Sequence, residues 1–310
     1  MDVLIQQILN GLVVGCVYAV IALGYTMVYG ILGIINFAHG DVLMVGALSA
    51  LSVAQFIYKY FPTCSPSLTF IIAVIVAMLV SGCVSFLIER LAYRPLRNAP
   101  RLAPLITAIG VSILLQTIAM LVWGRNPLSF PQLLSDEIFH ITDQVIITKK
   151  ELVIIATAFL MMGGLTLLVH KTRLGRAMRA ISESPQNASL MGVNPDYVIA
   201  TTFVIGAAMA AVAGTLMACN YGSAHFYMGF LPGIKAFTAA VLGGIGSLFG
   251  AMVGGILLGL IEVLGAGYIG NLTGGVFGSN YQDIFAFIVL ILVLVFRPSG
   301  IMGERVADRA

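Results

Sequence analysis

Charge is the property that this sequence has least of. Only 9% of its 310 residues are charged, whereas 59% are hydrophobic. A soluble domain carries about 25% charged residues, so a chain of this length with so few could not cover its surface in water. Apolar runs of about 20 residues, the length that crosses a bilayer as a helix, recur along the whole chain. The composition excludes a soluble protein and predicts an all-α, polytopic helical membrane protein with a single transmembrane domain over residues 1–310.

Patterns that carry out chemistry are also missing. The cysteines lie far apart and no pair has the spacing of metal ligands; they are Cys16, Cys64, Cys83 and Cys219. No nucleophile stands with a base, and no Gly-x-x-x-x-Gly-Lys sequence offers a phosphate cradle. The net charge of +3 is too small to indicate a nucleic-acid partner. We therefore expect no enzyme and no cofactor, and any ATP that drives the protein must be bound by a partner subunit.

What is present is a series of eight apolar runs. They span residues 3–32, 42–57, 68–88, 102–123, 151–169, 198–219, 236–264 and 282–296. The run 236–264 is long for one crossing, and Gly243, Gly244 and Gly246 predict a turn at 243–247 between two packed helical pieces. The chain therefore crosses the membrane eight or nine times, with this run crossing twice or re-entering. The longest connections are expected to be loops, at 124–150 and 265–280.

Positive charge in short loops marks the cytoplasmic side of a membrane. The segment 89–101 is rich in arginine, and its prolines predict a loop rather than a continued helix. Its arginines are Arg90, Arg94, Arg97 and Arg101. The basic residues after 169 follow two further crossings and so fall on the same side, which supports the count between them. Arg297 places the end of the chain inside as well, while the side of the N-terminus stays open.

A polar break, residues 33–41, separates the first two apolar runs. It contains Asn36, Phe37, His39, Gly40 and Asp41. One interpretation is an ordinary polar turn. The other is a broken helix whose irregular backbone lines the transport pathway or packs within the bundle, where its polar groups find partners. A metal site is weakly supported, because His39 and Asp41 supply two ligands and no third.

A basic segment, residues 171–196, lies between the fifth and sixth runs. Thr172 to Ile181 has the composition of a short helix, with Gly175 as its weak point. Ser184-Pro185 fits a second helix start and Gly192 a stop. An exposed short helix with an apolar tip could dock into a groove on a partner, or the segment could rest on lipid headgroups. The residues singled out are Arg173, Gly175, Arg176, Arg179, Glu183, Ala188, Leu190, Met191 and Gly192.

Separated motifs resemble one known family in its own order along the chain. They are GYTMVYGILGIINFAHGDVLMVGA at 24–47, TRLGRAMRAISESPQNASLMGVN at 172–194, TTFVIGAAMAAVAGTL at 201–216 and KAFTAAVLGGIGSLFGAMVGGILLG at 235–259. These motifs are similar to those of the LivH-type permeases of bacterial branched-chain amino-acid ABC transporters. The resemblance extends over nearly the whole chain.

The resemblance implies a multi-pass subunit of the bacterial inner membrane that imports leucine, isoleucine and valine. It implies a second, LivM-like permease, two cytoplasmic ATPase subunits and a periplasmic amino-acid-binding protein as partners. The ATPase-contacting loop would fall on 172–194, with the coupling helix at about Glu183–Gly192. Related permeases carry urea or short amides, so these substrates stay an alternative.

A second alternative comes from the residues themselves. An ion-coupled secondary transporter working alone would use intramembrane ionisable groups, and His39, Asp41 and Glu262 are candidates. Glu262 lies near the end of its apolar run and is also expected to be interfacial.

Overall fold

The computed structural model describes residues 2–97, 99–100, 102–142, 145–272, 281–297 and 299–302. The described chain is mostly helical, as the composition predicts. Its α-helices are α1 (Asp2–Leu32), α2 (His39–Tyr60), α3 (Pro66–Ile88), α4 (Leu102–Trp123), α5 (Lys149–Lys171), α6 (Arg173–Glu183), α7 (Pro185–Leu190), α8 (Pro195–Tyr221), α9 (Phe230–Gly243), α10 (Leu248–Leu272) and α11 (Gln282–Phe296). By length and composition, seven of the described helices can cross a membrane. They are α1, α2, α3 together with the residues that follow it to Leu96, α4, α5, α8 and α10. Helices α9 and α11 are apolar but shorter.

Polar side chains at the starts of several helices set where the helices begin. The Ser65 hydroxyl accepts a hydrogen bond from the Leu68 amide ahead of α3, and Pro66 takes the first helical position. The Asn194 side chain accepts from the amides of Asp196 and Tyr197 ahead of α8. Each cap satisfies an amide that has no partner inside its helix, and proline is tolerated there because its missing donor is not needed.

The chain divides into two compact units. The terminal unit comprises Met1–Thr26, Asp136–Met162 and Lys235–Ala310. The central unit comprises Met27–Ser135 and Gly163–Ile234.

Small residues let the helices of the central unit approach closely. A Cβ on Gly46 of α2 would lie 2.6 Å from the Ala211 Cα of α8. The Ser81 hydroxyl of α3 donates to the Val42 carbonyl of α2 at 3.3 Å, and Ser85 donates to the Phe203 carbonyl of α8 at 3.1 Å. Helices α2, α3 and α8 therefore form the packed core of this unit, since close backbone approach allows dispersion contacts that lipid could not replace.

Small residues also let helices α1 and α10 of the terminal unit approach closely. A Cβ on Gly15 would lie 2.7 Å from the Ile256 Cα, and one on Gly11 would lie 3.0 Å from the Leu260 Cα. From the other side, a Cβ on Gly255 would meet the Ala19 backbone at 2.5 Å. Glycine at these positions is required by the distance between the helix axes, and any larger residue would push the helices apart.

The expected loop at 89–101 is wrong in its first half. The helical path of α3 continues through a π turn, Glu89–Tyr93, and a 3-10 turn, Arg94–Leu96. Pro95 does not end the path, because it occupies an early position of the 3-10 turn, where the fixed φ of proline is tolerated. Arg101 lies outside the described residues.

Two further connections differ from the expectation. The all-α prediction misses short strands in the long connection and after α8: β1 (Leu128–Ser129), β2 (Ile138–Thr142), β3 (Val145–Thr148) and β4 (Ser223–Ala224). Strands β2 and β3 pair antiparallel, as do β1 and β4. The expected glycine-rich loop at 265–280 is wrong in its first half, because α10 continues to Leu272. Its second half, residues 273–280, lies outside the described chain.

Candidate functional site

The basic segment, residues 171–196, folds as two short helices, α6 and α7, as its composition predicts. The Thr172 hydroxyl caps α6 by accepting a hydrogen bond from the Gly175 amide at 3.0 Å. The Ser184 hydroxyl caps α7 by accepting from the Asn187 amide at 3.3 Å, with Pro185 at the first position. Each hydroxyl satisfies an amide of the first turn, so two starts in a row produce a sharp helix–helix bend.

Helix α6 has two distinct faces. Gly175, Met178 and Ile181 are buried in the central unit, at a spacing of three residues. The arginines of the segment, Arg173, Arg176 and Arg179, occupy exposed positions between them. The Arg179 guanidinium donates to the Val169 carbonyl near the end of α5. The buried face anchors α6 to the unit, and the arginine face stays available.

Helix α7 separates the apolar residues of the segment into two groups. Leu190 and Met191 are 83% and 84% exposed. Ala188 is buried, so it does not belong to the exposed apolar tip that the sequence suggested. It faces inward because it lies two residues before Leu190, on the other side of a single helical turn. Gly192 has a φ of +82°, which suits glycine and ends the helix as predicted. Glu183 is exposed at the end of α6.

The polar break, residues 33–41, contains the interruption between α1 and α2. The helix ends at Leu32 and resumes at His39. The Asn36 side-chain oxygen accepts from the Ala38 amide at 3.1 Å and from the Tyr93 hydroxyl at 2.8 Å. Asn36 is therefore buried and bonded within the bundle, which favours a broken, packed backbone over an exposed polar turn.

The remaining residues of the break lie at the start of α2. His39, Gly40 and Asp41 are all buried. The Gln116 amide of α4 donates to the Asp41 carboxylate at 2.9 Å. Gly40 has no room for a side chain, because a Cβ there would overlap the Gly229 carbonyl. The structure thus brings Asn36, His39 and Asp41 into the interior of the central unit; Phe37 lies in the turn before α2.

The glycine turn, residues 243–247, connects α9 to α10. Gly244 and Gly246 have φ values of +109° and +98°, where other residues would be strained. A Cβ on Gly243 would overlap the Gly250 carbonyl. The amides of Ile301 and Met302 donate to the carbonyls of Leu242 and Gly243 at 2.9 Å each. These contacts explain why glycines occur here: they allow a tight turn, and the residues after α11 hydrogen-bond to the start of that turn.

An ion cluster in the terminal unit was missed in the sequence. It comprises Tyr18 of α1, Lys235 of α9, Glu262 of α10 and Asp283 of α11. The Lys235 ammonium donates to the Glu262 carboxylate at 2.7 Å and to the Tyr18 hydroxyl at 3.2 Å, and it also pairs with Asp283. Glu262 is only 4% exposed, so it is packed among the helices of the unit, and its interfacial position in the membrane stays a prediction. The available signal was Lys235 itself, a lone charge between apolar residues.

A second ionic network lies in the central unit. The guanidinium groups of Arg94 and Arg97 both pair with the Asp196 carboxylate at the start of α8. Arg97 also pairs with Glu89, which is buried in the π turn. The sequence identified these arginines only as markers of membrane side, because their acidic partner is about a hundred positions away along the chain.

Among the residues that the structure describes, no three His, Cys, Asp or Glu side chains are grouped as a metal would require. The described features are long apolar helices, buried polar pairs where a helix breaks, and a capped basic segment carrying exposed arginines. This combination defines a polytopic membrane protein of the transport class.

The particular family follows from comparison with known proteins. The family described as "Branched-chain amino acid transport system / permease component" matches residues 7–294. The chain belongs to this family; it is a permease component and not an enzyme.

Similar proteins match along almost the full length. The high-affinity branched-chain amino acid transport system permease protein BraD of Pseudomonas aeruginosa is 48% identical over 303 residues, covering 97% of this chain and 96% of that protein. The corresponding LivH of Escherichia coli K12 is 45% identical over 304 residues, with the same shares covered. A probable LivH of Methanocaldococcus jannaschii is 27% identical and covers 96% of this chain and 92% of its own.

Proposed function

We propose that this chain moves leucine, isoleucine and valine across the bacterial inner membrane as one permease subunit of an ATP-driven importer. The observation that carries the proposal is the family match over residues 7–294. The relatives at 48% and 45% identity, whose names state branched-chain amino acid transport, support the substrate class. No described feature favours the alternative of urea or short amides, or transport by this chain alone.

The partners follow from what the chain lacks. It has no nucleotide-binding sequence, so energy must come from separate ATPase subunits. We propose two such subunits, a second LivM-like permease and a periplasmic binding protein that delivers the amino acid. The binding protein would then carry most of the substrate selectivity.

The basic segment, residues 171–196, is the proposed ATPase contact. Leu190 and Met191 project as an exposed apolar tip, and α6 is held in place by its buried face. An apolar tip on a rigidly anchored short helix suits insertion into a groove, while the exposed arginines suit an acidic rim. Glu183–Gly192 would be the part that enters the groove.

We further propose nine membrane crossings with the N-terminus outside. The segment 89–101 and the basic segment, residues 171–196, are placed inside by their arginines. Helix α9 has 14 residues and spans about 21 Å of a hydrocarbon core of about 30 Å, so in this proposal the residues before Phe230 complete its crossing. The bonds from Ile301 and Met302 to the end of α9 support a glycine turn on the same side as the end of α11, which the proposal takes as inside. Helices α9, α10 and α11 then cross out-to-in, in-to-out and out-to-in.

The experiment is uptake by the complete complex in proteoliposomes. We expect ATP-dependent uptake of leucine, isoleucine and valine, and none of urea or acetamide, when the matching binding protein is supplied. Uptake without ATP that an uncoupler abolishes would replace the proposal with a secondary transporter. ATP-dependent uptake of urea instead would agree with the ATP-driven mechanism but would reject leucine, isoleucine and valine as the substrates.

The docking assignment has its own test. Leu190→Glu with Met191→Glu places two charges at the apolar tip, and we expect the ATPase subunits to dissociate while the chain still inserts into the membrane. Ile138→Glu is the matched control, because Ile138 is an exposed apolar residue of β2 on the opposite side in the proposed topology. Normal co-purification of the ATPase with the double variant would reject this contact.

A further inference from the structure

The end of the basic segment, residues 171–196, is fastened to the π turn that follows α3. The Asp196 carboxylate accepts hydrogen bonds from the guanidinium groups of Arg94 and Arg97, and the Arg97 guanidinium also donates to the Glu89 carboxylate. Asp196 is 41% exposed at its side chain, whereas Glu89 is buried. The ion pairs therefore lead from the surface of the central unit into its interior. Paired guanidinium–carboxylate contacts hold a defined geometry better than single charges do.

The π turn reaches the polar break, residues 33–41, through Tyr93. This tyrosine is 2% exposed, and its hydroxyl donates to the Asn36 side chain at 2.8 Å. Its ring packs against that of Phe203 in α8, with centroids 5.4 Å apart. A buried hydroxyl with one partner makes that bond costly to lose. The five-residue turn thus contacts the point where the chain passes from α1 to α2 directly, through Tyr93, and is linked to the basic segment through Arg97, which pairs with both Glu89 and Asp196.

A π turn contains one residue more than the α-helix accommodates. The Arg94 amide bonds to the Glu89 carbonyl, five residues back. Such turns are rare and occur often at functional sites. Return to α geometry would shift the register of the residues that follow by one position. A shift of one residue would rotate Tyr93 by about 100° around the helix axis and remove its hydroxyl from Asn36. The ion pairs and the Tyr93 bond together hold the turn in its present register.

We propose that Asp196, Arg97, Glu89, Tyr93 and Asn36 form a π-turn bridge that couples movement of the basic segment to the arrangement of the polar break. Tyr93 and Arg97 are positioning residues: they act on the break and on the segment, and neither needs to touch the transported molecule. This inference rests on the proposed function, because it needs an ATPase at the basic segment. It goes further by naming the path inside this chain along which nucleotide-driven movement alters the transport pathway.

The test compares ATP hydrolysis with uptake in the same proteoliposomes containing the complete complex. Tyr93→Phe removes one hydroxyl and keeps the ring packing, and Asp196→Asn removes the charge that both arginines bind. We expect each to raise the ATP hydrolysed per amino acid transported by roughly threefold to tenfold. Hydrolysis itself and co-purification of the ATPase are expected to persist. A merely structural defect would lower hydrolysis and uptake together and leave their ratio unchanged, which would overturn the proposal.

The double variant separates a bridge from two independent defects. If Tyr93 and Asp196 act through one path, breaking it twice is no worse than breaking it once, so the ratio of the double variant equals that of either single one. Multiplication of the two effects would overturn the proposal. Arg97→Lys gives a further readout: lysine lacks the planar fork by which two nitrogens of Arg97 bind Asp196 and Glu89 separately, so we expect an intermediate ratio, between wild type and Asp196→Asn.

Matched controls exist beside each position. Tyr197→Phe removes an exposed hydroxyl next to Asp196, and Arg90→Gln removes an exposed arginine next to Glu89. Both are expected to keep the wild-type ratio. Failure of the proposed function would show in the wild-type complex, as absence of ATP-dependent uptake. Failure of the bridge would show in an active complex, either as an unchanged ratio in the single variants or as multiplied effects in the double variant.

Discussion

At the scale of single residues, the ion cluster is the most demanding feature of the protein. Lys235 brings one ammonium to two carboxylates, Glu262 and Asp283, and lies 5.6 Å from the ring centroid of Tyr18. Taking charges out of water is costly, and only their mutual pairing and hydrogen bonds offset that cost. The cluster joins four helices of the terminal unit, so its loss would affect all of them.

Lys235→Met tests this role. Removing the ammonium leaves Glu262 charged and unpaired in the interior, and we expect a loss of roughly 3–5 kcal/mol of stability, seen as a lower apparent Tm of the purified protein in detergent. Adding Glu262→Gln should recover part of the loss. Lys59→Met is the control, because Lys59 is exposed and lies over the Tyr60 ring only. Equal Tm values for the Lys235 and Lys59 variants would contradict a stabilising cluster.

At the scale of elements, the position of α6 depends on one glycine. Gly175 faces the carbonyls of Leu168 and Val169 so closely that a Cβ would overlap both. These carbonyls belong to the last turn of α5, where carbonyls are bonded by the residues that follow the helix. The Leu168 carbonyl accepts from the amide and the hydroxyl of Thr172, and the Val169 carbonyl accepts from the Arg179 guanidinium of α6. The contact fixes the angle at which the basic segment, residues 171–196, leaves the membrane helix.

Gly175→Ala should therefore displace α6 despite the higher helix propensity of alanine. We expect weaker association with the ATPase subunits, measured as their recovery when the complex is purified through the permease. Gly164→Ala in α5 is the matched control, because nothing lies within 4 Å of a Cβ there. The stability of the Gly164→Ala variant should equal that of the wild type or exceed it by about 1 kcal/mol, because alanine has a higher helix propensity than glycine. If both variants retain the ATPase equally, the glycine contact does not set the docking geometry.

At the scale of the whole molecule, topology decides which surfaces meet which partners. An odd number of crossings is required if the N-terminus is outside and Arg297 is inside. The hydrogen bonds of Ile301 and Met302 favour that count, because they tie the end of the chain to the turn between α9 and α10. The periplasmic partner would then face the connection 124–150, and the ATPase would face the basic segment, residues 171–196.

Labelling of introduced cysteines checks the topology. In a variant with its four natural cysteines replaced by alanine, a membrane-impermeant thiol reagent applied from outside should label Asp2→Cys and Arg125→Cys. It should label Ser182→Cys only after the membrane is opened. Protection of Asp2→Cys in intact cells, with labelling after opening, would indicate an even number of crossings and reject the nine-crossing arrangement.

The amino-acid sequence by itself determined the membrane class, the positions of the helices and the two-helix form of the basic segment. These depend on local properties: runs of apolar residues long enough to cross, hydroxyls such as Thr172 and Ser184 that cap a helix start, and arginines near the membrane surface. Each of these signals lies within a short stretch of chain, so it can be recognised without knowing what packs against it. The polar break at 33–41 was found in the same way.

The tertiary structure alone decided which of these residues face each other. Lys235, Glu262 and Tyr18 are far apart in the chain, and nothing local predicts that their side chains meet in the interior. Ala188 and Leu190 are both apolar and two residues apart, yet one is buried and the other exposed, because α7 packs against the neighbouring helices α6 and α8 on one side only. The π turn likewise has partners at both ends that only the fold brings together: Arg97 pairs with Glu89, and Asn36 accepts from Tyr93. Contacts of this kind depend on the summed packing of several helices, and a single sequence does not encode that sum in any one stretch.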